Sequence, residues 1–242
     1  MPTDEESHNR RYADAISAAR VGGSDRFQSW FNQSSSVDES LRRGYWDFAV
    51  HVVKPEVAAR LGNPGTLTAL EIGYGGGRLV NAAGSFFGRV IGIDVHGEKD
   101  EAAALLEREG KSNVELHQTD GRTIPVGDGV VDFVYSFIVL QHLPSLETFQ
   151  AYLRETHRVL RRGGVAQLYY GLLRSRNHMR RFREIPEAAV NHVSLQISPR
   201  FARRLCQRVG FDVVGHGISY KNVPDGYPLV VGGQAYVALV KR

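Results

Sequence analysis

The segment Glu71-Ile72-Gly73-Tyr74-Gly75-Gly76-Gly77 places a carboxylate two residues ahead of a glycine-rich turn. Glycine lets a backbone turn sharply and approach a ligand closely, so a strand that runs through such a turn into a helix is a nucleotide-binding device. Residue types separate the possible ligands. The dinucleotide fingerprint asks for glycines at G-x-G-x-x-G; Gly73 and Gly75 meet the first two positions, but Arg78 stands at the last. The Gly-Lys-Ser/Thr ending of a phosphate-binding P-loop is absent. Glu71 disfavours a pyrophosphate and suits a ligand carrying an ammonium or sulfonium group. A plain tight turn is the remaining alternative, and the loop alone leaves these readings open.

Further acids follow at informative positions. Val90-Ile91-Gly92-Ile93-Asp94 reads as a strand ending in aspartate about twenty residues after the loop, where an acid accepts hydrogen bonds from both ribose hydroxyls. Gln118-Thr119-Asp120-Gly121 ends the next strand, and a carboxylate there accepts a hydrogen bond from an adenine amino group. Residues 130–143, VVDFVYSFIVLQHL, carry a strand out of the sheet at its carboxyl edge, where open α/β sheets bind ligands.

The elements that position these groups alternate. Short apolar runs at 68–73, 89–95, 114–118, 131–136 and 165–170 read as strands, with helical patterns at 78–87, 98–109 and 146–160 between them. This is the pattern of a parallel sheet with helices on both faces. A helix at 199–209 then leads to strands near 211–214 and 235–240 with no helix between them, which predicts an antiparallel pair at the sheet edge. The expected fold is α/β: a Rossmann-like, doubly wound sheet of about seven strands with an antiparallel last strand. Residues 1–64 read as an N-terminal helical extension, with helices near 11–20 and 37–61 and a loop at 28–36 that displays Trp30 and Phe31. Asn63-Pro64-Gly65 is the turn that separates it from a core at 65–242. Residues 171–198 read as an insertion over the site.

The stretches ALEIGYGGG, VIGIDV, HQTDG, VVDFVYSFIVLQHLP and VLRRGGVAQLYY, in that order and at natural spacing, resemble a class I S-adenosylmethionine-dependent methyltransferase of small-molecule type. The late hairpin FDVVGHGISY with AYVALVKR resembles that family's reversed seventh strand. The resemblance implies S-adenosylmethionine as cofactor. It implies that Glu71, Gly73 and Gly75 shape the pocket for the methionine part and that Asp94 holds the ribose. It further implies that Asp120 and Gly121 flank the adenine, and that Ser136 and Phe137 supply backbone contacts near the amino-acid end. Tyr74 packs on the cofactor or merely covers it. Asp132 orients backbone in such folds.

On the acceptor side, His142 follows the fourth strand at the mouth of the site and is the first candidate for a general base, since histidine titrates near neutral pH; the alternative is that it packs beneath the cofactor or caps the next helix. His192 and His178 are weaker candidates. Arg174, Arg176, Arg180, Arg181 and Arg183 crowd ten residues of the insertion. Arginine forks match phosphate and carboxylate groups, so Arg180, Arg181 and His192 are expected to meet an anionic metabolite or sugar, methylated on a hydroxyl. A solvated basic helix face is the alternative. RNA or protein methylation, or cofactor binding without catalysis, are the competing functions. The DNA amino-methylation motif is missing, because Tyr135-Ser136-Phe137-Ile138 stands in its place, and Cys206 follows Leu205, so the Pro-Cys nucleophile of cytosine-C5 enzymes is missing too.

Composition narrows the class. With 30 Lys and Arg against 26 Asp and Glu, the net charge of +4 is mild, which makes nucleic acid an unlikely partner. A single cysteine excludes an internal disulfide and a cysteine-rich zinc site, and the nine histidines show no metal-ligand spacing, so no metal is expected. No apolar run is long enough to cross a bilayer, and a cytoplasmic protein is expected.

Overall fold

The computed structural model describes residues 4–175, 179–219 and 233–242. Helices α1 (Asp4–Arg20), α2 (Ser24–Asn32), α3 (Val37–Asp47) and α4 (Pro55–Leu61) precede the first strand. Strands β1 (Thr68–Ile72), β2 (Arg89–Asp94), β3 (Val114–Gln118), β4 (Val131–Ser136) and β5 (Leu160–Gly171) then alternate with α5 (Arg78–Ala83), α6 (Lys99–Arg108) and α7 (Leu146–Val159). A small hairpin, β6 (Phe182–Glu184) and β7 (Leu195–Ile197), leads to α8 (Pro199–Val209), β8 (Phe211–Ile218) and β9 (Gln234–Lys241). The main sheet has seven strands in the order β3-β2-β1-β4-β5-β9-β8. Its first five strands pair in parallel, and β9 runs antiparallel to both β5 and β8. This is the doubly wound architecture expected, with its reversed last strand.

Strand periodicity divides the core. Leu70 and Ile72 of β1 face one layer, with Phe149 and Leu153 of α7 and Leu205 of α8. Ala69 faces the other, with Phe133 and Tyr135 of β4, Val80 of α5 and Phe48. The sequence order reverses between β1 and β4, and the open crevice of a doubly wound sheet lies at the carboxyl ends of strands around such a reversal. Asp132 does hold backbone, accepting from Thr68 N at 2.8 Å. No helix among the described residues is long and apolar enough to cross a membrane.

The N-terminal region departs from the sequence reading in two places. The expected loop at 28–36 is largely helix: α2 runs to Asn32 and stops at Gln33, whose φ of 56° is left-handed. The i, i+3, i+4 spacing of Phe27, Trp30 and Phe31 is the helical signal that this reading passed over. The expected single helix at 37–61 is broken. A π-helical turn at Phe48–Val52 carries His51 inward, and Pro55 then restarts the helix as α4. Proline cannot sit inside a helix and forces the residue before it into extended backbone, as Lys54 shows with ψ 154°. The fifth strand also starts earlier than expected, at Leu160, with a register shift against β4 between Val131 and Phe133.

Candidate active site

The site is built from the end of β2 upward. Asp94 turns its carboxylate toward the glycine loop. Oδ2 accepts the Gly75 amide at 2.9 Å, and Oδ1 accepts the Val95 amide at 2.7 Å. Above it lies a cavity walled by Ile72, Gly73, Gly75, Asp94, Val95 and Gly121 from the sheet's carboxyl edge, and by Val139, His142 and Tyr152 from the segments after β4 and within α7. The N-terminal helices close it with His8, Asn9, Tyr12, Trp30 and Phe31, and Asn191 completes the roof. Close approach is what the glycines provide. A Cβ at Gly73 would lie 2.3 Å from a Val139 methyl, and one at Gly121 would lie 2.4 Å from the Asn9 amide. Both glycines have positive φ, 82° and 86°, which a side chain would strain.

The roof is pinned by polar contacts. His8 Nε2 donates to the His142 carbonyl at 2.7 Å, Asn9 Nδ2 donates to the Asp120 carbonyl at 3.1 Å, and the Asn191 amide donates to Tyr12 Oη at 3.1 Å. Asn191 Nδ2 also donates to the Trp30 carbonyl at 3.2 Å. Tyr12 stands between rings, with its centroid 5.1 Å from His8, 6.4 Å from Trp30 and 5.9 Å from His142.

Of the residues singled out in the sequence, Gly73, Gly75, Asp94, Gly121, His142, Trp30 and Phe31 lie on the cavity wall. The other described ones do not. Glu71 faces the opposite side of the sheet, because alternation along β1 sends Ile72 to the cavity and Glu71 beneath α5. There it is buried, and Tyr135 Oη donates to it at 3.2 Å. Tyr74 is also buried, its ring 5.1 Å from His96. Ser136 Oγ donates to the Ile72 carbonyl at 3.0 Å, and Phe137 stacks on His51 at 4.6 Å. Asp120 is turned into its own loop, where Oδ1 accepts the Arg122 and Thr123 amides at 2.8 and 2.7 Å. Burial opposes its ionisation, but these hydrogen bonds outweigh burial and hold the carboxyl below its usual range. Arg180 and Arg181 are exposed and stand off the wall, with Arg181 over the Phe201 ring. His192 contributes only its carbonyl, to His142. Arg176 and His178 lie outside the described residues. Trp46 of α3 is 59% exposed.

His142 has both ring nitrogens engaged. Nδ1 donates to the His192 carbonyl at 2.8 Å, which leaves Nε2 to accept from the Gln141 amide nitrogen at 3.1 Å. Burial lowers its pKa, more than the His192 bond raises it. His8 is likewise committed, donating through Nε2 and accepting from Arg11 at Nδ1, and burial lowers its pKa too.

Burial pushes the Glu71 carboxyl well above the usual carboxylate range, although Arg78 and the Tyr135 hydroxyl oppose the shift. A carboxyl raised on folding binds its proton more tightly in the folded chain. Its contribution is therefore most favourable below the unfolded value and declines as pH rises through the folded one. Glu71→Gln removes that decline. In urea titrations from about pH 5 to 8, the variant's midpoint should gain on the parent's as pH increases; a difference constant with pH would show that Glu71 does not titrate on folding.

Comparison with known proteins agrees with this geometry. The profile of the methyltransferase domain family matches residues 70–168, which span β1 to β5. No curated protein matches the chain in sequence. Among solved structures, the Burkholderia thailandensis 1,6-didemethyltoxoflavin-N1-methyltransferase, with 1,6-didemethyltoxoflavin and S-adenosylhomocysteine bound, superposes with a TM-score of 0.65 at 19% identity, covering 100% of this chain and 91% of that one. An S-adenosylmethionine-dependent methyltransferase from Mesorhizobium loti gives 0.61 at 16% identity, over 77% of this chain and 96% of that one. The [4+2]-cyclase SpnF gives 0.61 at 17% identity, over 86% and 83%. At these identities the neighbours define the fold. Profile match, motif order and topology together make residues 70–168 a methyltransferase domain on a Rossmann-like sheet. Its cofactor is S-adenosylmethionine, and the glycine-lined cradle, where Asp94 is the one carboxylate among the described lining residues, fits a ligand with a ribose diol and a cationic centre.

Proposed function

We propose that this enzyme methylates a small, uncharged, flat acceptor held under the N-terminal helices. The observation that carries this reading is the composition of the wall. Its inner face is formed by the rings of Tyr12, Trp30, Phe31 and His142, and Asp94 is the only acidic side chain and no Lys or Arg lines it among the described residues. Such a surface favours an aromatic body over an anion. The roofed cavity also favours a small molecule over RNA or a protein segment. The expected anionic metabolite rested on Arg180 and Arg181, and the wall gives it no support.

S-adenosylmethionine supplies a methyl group already activated on a sulfonium. The chain's own contribution is to orient and to exclude water, and alignment alone contributes on the order of 7–11 kcal/mol in favourable cases. Among the described residues, with the ring nitrogens of His8 and His142 occupied and both Asp94 oxygens accepting backbone amides, no base on the wall stands ready to deprotonate an alcohol. This supports an acceptor atom with its own available lone pair, such as a ring or amine nitrogen, ahead of the hydroxyl expected from sequence. The Burkholderia N1-methyltransferase spans the whole of this chain and makes nitrogen the first acceptor to screen.

The test is a turnover screen with methyl-labelled cofactor over neutral nitrogen heterocycles, their carboxylated and phosphorylated counterparts, simple alcohols, bulk tRNA and unfolded protein. Label should accumulate in the neutral heterocycles. Label only in RNA, protein or the anionic series refutes the reading, and cofactor binding without transfer to any of them marks a non-catalytic protein. Trp30→Ala, which strips one ring from the roof, should raise the acceptor KM by roughly 3- to 10-fold, the worth of about 0.5–1.5 kcal/mol of aromatic contact. An unchanged KM removes Trp30 from the acceptor site.

A further inference from the structure

The glycine loop is held from outside the cavity by two buried side chains that the sequence reading did not single out. His96, two residues beyond Asp94, is fully buried. Its Nε2 donates to the Gly75 carbonyl at 3.2 Å, and its Nδ1 accepts the Glu98 amide at 3.1 Å. These two bonds define one neutral tautomer, with the proton on Nε2. Gln28 of α2, 2% exposed, donates to the next carbonyl, that of Gly76, at 2.7 Å, while its Oε1 accepts from Ser40 at 2.9 Å. The Gly75 amide is already taken by Asp94. Gly75 is therefore clamped at both ends by β2 and its continuation, and Gly76 is clamped by α2.

We propose that His96 and Gln28 are positioning residues for the cofactor, fixing the peptide planes of Gly75 and Gly76 before S-adenosylmethionine arrives. Peptide units flanked by glycine rotate easily, and Gly75 sits at a φ of 53°, where few other residues go. An unclamped loop would have to be frozen by the ligand, and that ordering cost would come out of the affinity. His96 also carries the load of α2. Its ring lies 5.9 Å from Phe31 and 6.4 Å from Phe27, and the Phe31 ring comes within 2.8 Å of where a Gly75 Cβ would stand. The same side chain thus registers the N-terminal helices against the loop, and those helices form part of the cofactor site.

The experiment is calorimetric titration of S-adenosylmethionine into His96→Phe, His96→Gln and Gln28→Met, beside urea unfolding of each without cofactor. Phenylalanine keeps the ring packing and removes both hydrogen bonds. Glutamine restores a donor at about the reach of Nε2. His96→Phe and Gln28→Met should each raise Kd about 5- to 10-fold, the scale of one net hydrogen bond, and His96→Gln should recover part of the loss. Once an acceptor is known, the defect should appear in KM for the cofactor more than in kcat. Parent-like Kd in both His96→Phe and Gln28→Met, with only the unfolding midpoint lowered, assigns them to folding and overturns the proposal; so does a Gln variant no better than Phe. Should His96→Phe fail to fold, Gln28→Met decides alone, since it lies on a different element. A parent chain that binds no S-adenosylmethionine would instead defeat the cofactor assignment.

Discussion

Asp94→Ala should weaken S-adenosylmethionine binding about 100-fold or more, read by calorimetry. Asp94 holds the Gly75 and Val95 amides with separate oxygens, and its side chain is 12% exposed, so a face remains open to the cavity. Alanine removes the charged acceptor offered to the ribose, worth about 1.5–3 kcal/mol for a hydrogen bond to a charged group. It also releases the Gly75 amide, so the ligand must order a loop that Asp94 had held in place, at a cost of about 1.5–3 kcal/mol, the worth of that bond to a charged group. Together these effects reach about 3 kcal/mol or more, and 1.4 kcal/mol is tenfold in Kd. Asp94→Asn separates the two contributions: one carbonyl oxygen survives, but its amide group faces a backbone N–H, so the affinity should fall between alanine and the parent. Because the loop is also held by His96 and Gln28, cofactor-free stability should drop far less than affinity. An unchanged Kd in Asp94→Ala would falsify the ribose assignment.

The places of Asp94 and Gly75 on the cavity wall were legible in the sequence because they follow from local order: a glycine turn after one strand, an acid at the end of the next. The sheet was legible for the same reason, since continuous apolar runs between helical patterns imply buried parallel strands. What stayed hidden depends on contacts between distant residues. The side of β1 to which Glu71 points follows from alternation, but only once Ile72 is known to face the crevice. Asp120 has the right type and position, yet two amides of its own loop take one of its oxygens. The pairing of Tyr12 with Asn191 crosses 179 residues and that of Gln28 with Gly76 crosses 48, and no periodicity carries such information. His96 could have been suspected, since a polar ring two residues after the acid that ends β2 has few places to go other than the loop. For Arg180 and Arg181, a cluster of charge in sequence says that a surface is basic and not that it faces a substrate.

Arg78 is the clearest case of a residue whose absence of a role in the loop is explained from elsewhere. By sequence it is the glycine missing from a dinucleotide fingerprint. In the structure it opens α5 as a buried arginine, and its guanidinium pairs with Asp47 at the end of α3; the two side chains are 9% and 1% exposed. The Arg78 charge also opposes the upward shift at Glu71, and His51 lies 4.0 Å from the same aspartate. A glycine at this position would take the guanidinium away from Asp47 beneath the glycine loop. Helix α3 comes so close here that a Cβ on Gly44 would fall 2.4 Å from the Arg78 carbonyl, which leaves little room for water to replace the guanidinium. Arg78→Met should therefore cost about 3–5 kcal/mol, the penalty for breaking a buried pair and leaving one charge behind. At about 2–4 °C per kcal/mol for a chain of this size, the melting temperature should fall by roughly 6–20 °C. The second substitution is the informative one. Replacing a buried pair with apolar residues of similar volume is often close to neutral, so Arg78→Met with Asp47→Leu should recover most of the loss, and the coupling in that double-mutant cycle should exceed about 2 kcal/mol. Additive losses would mean that Arg78 supports α5 by packing alone. A recovered melting temperature with cofactor affinity still impaired would mean that the pair aligns the loop as well as stabilising it, because the N-cap of α5 is Gly77, the last residue of the glycine loop.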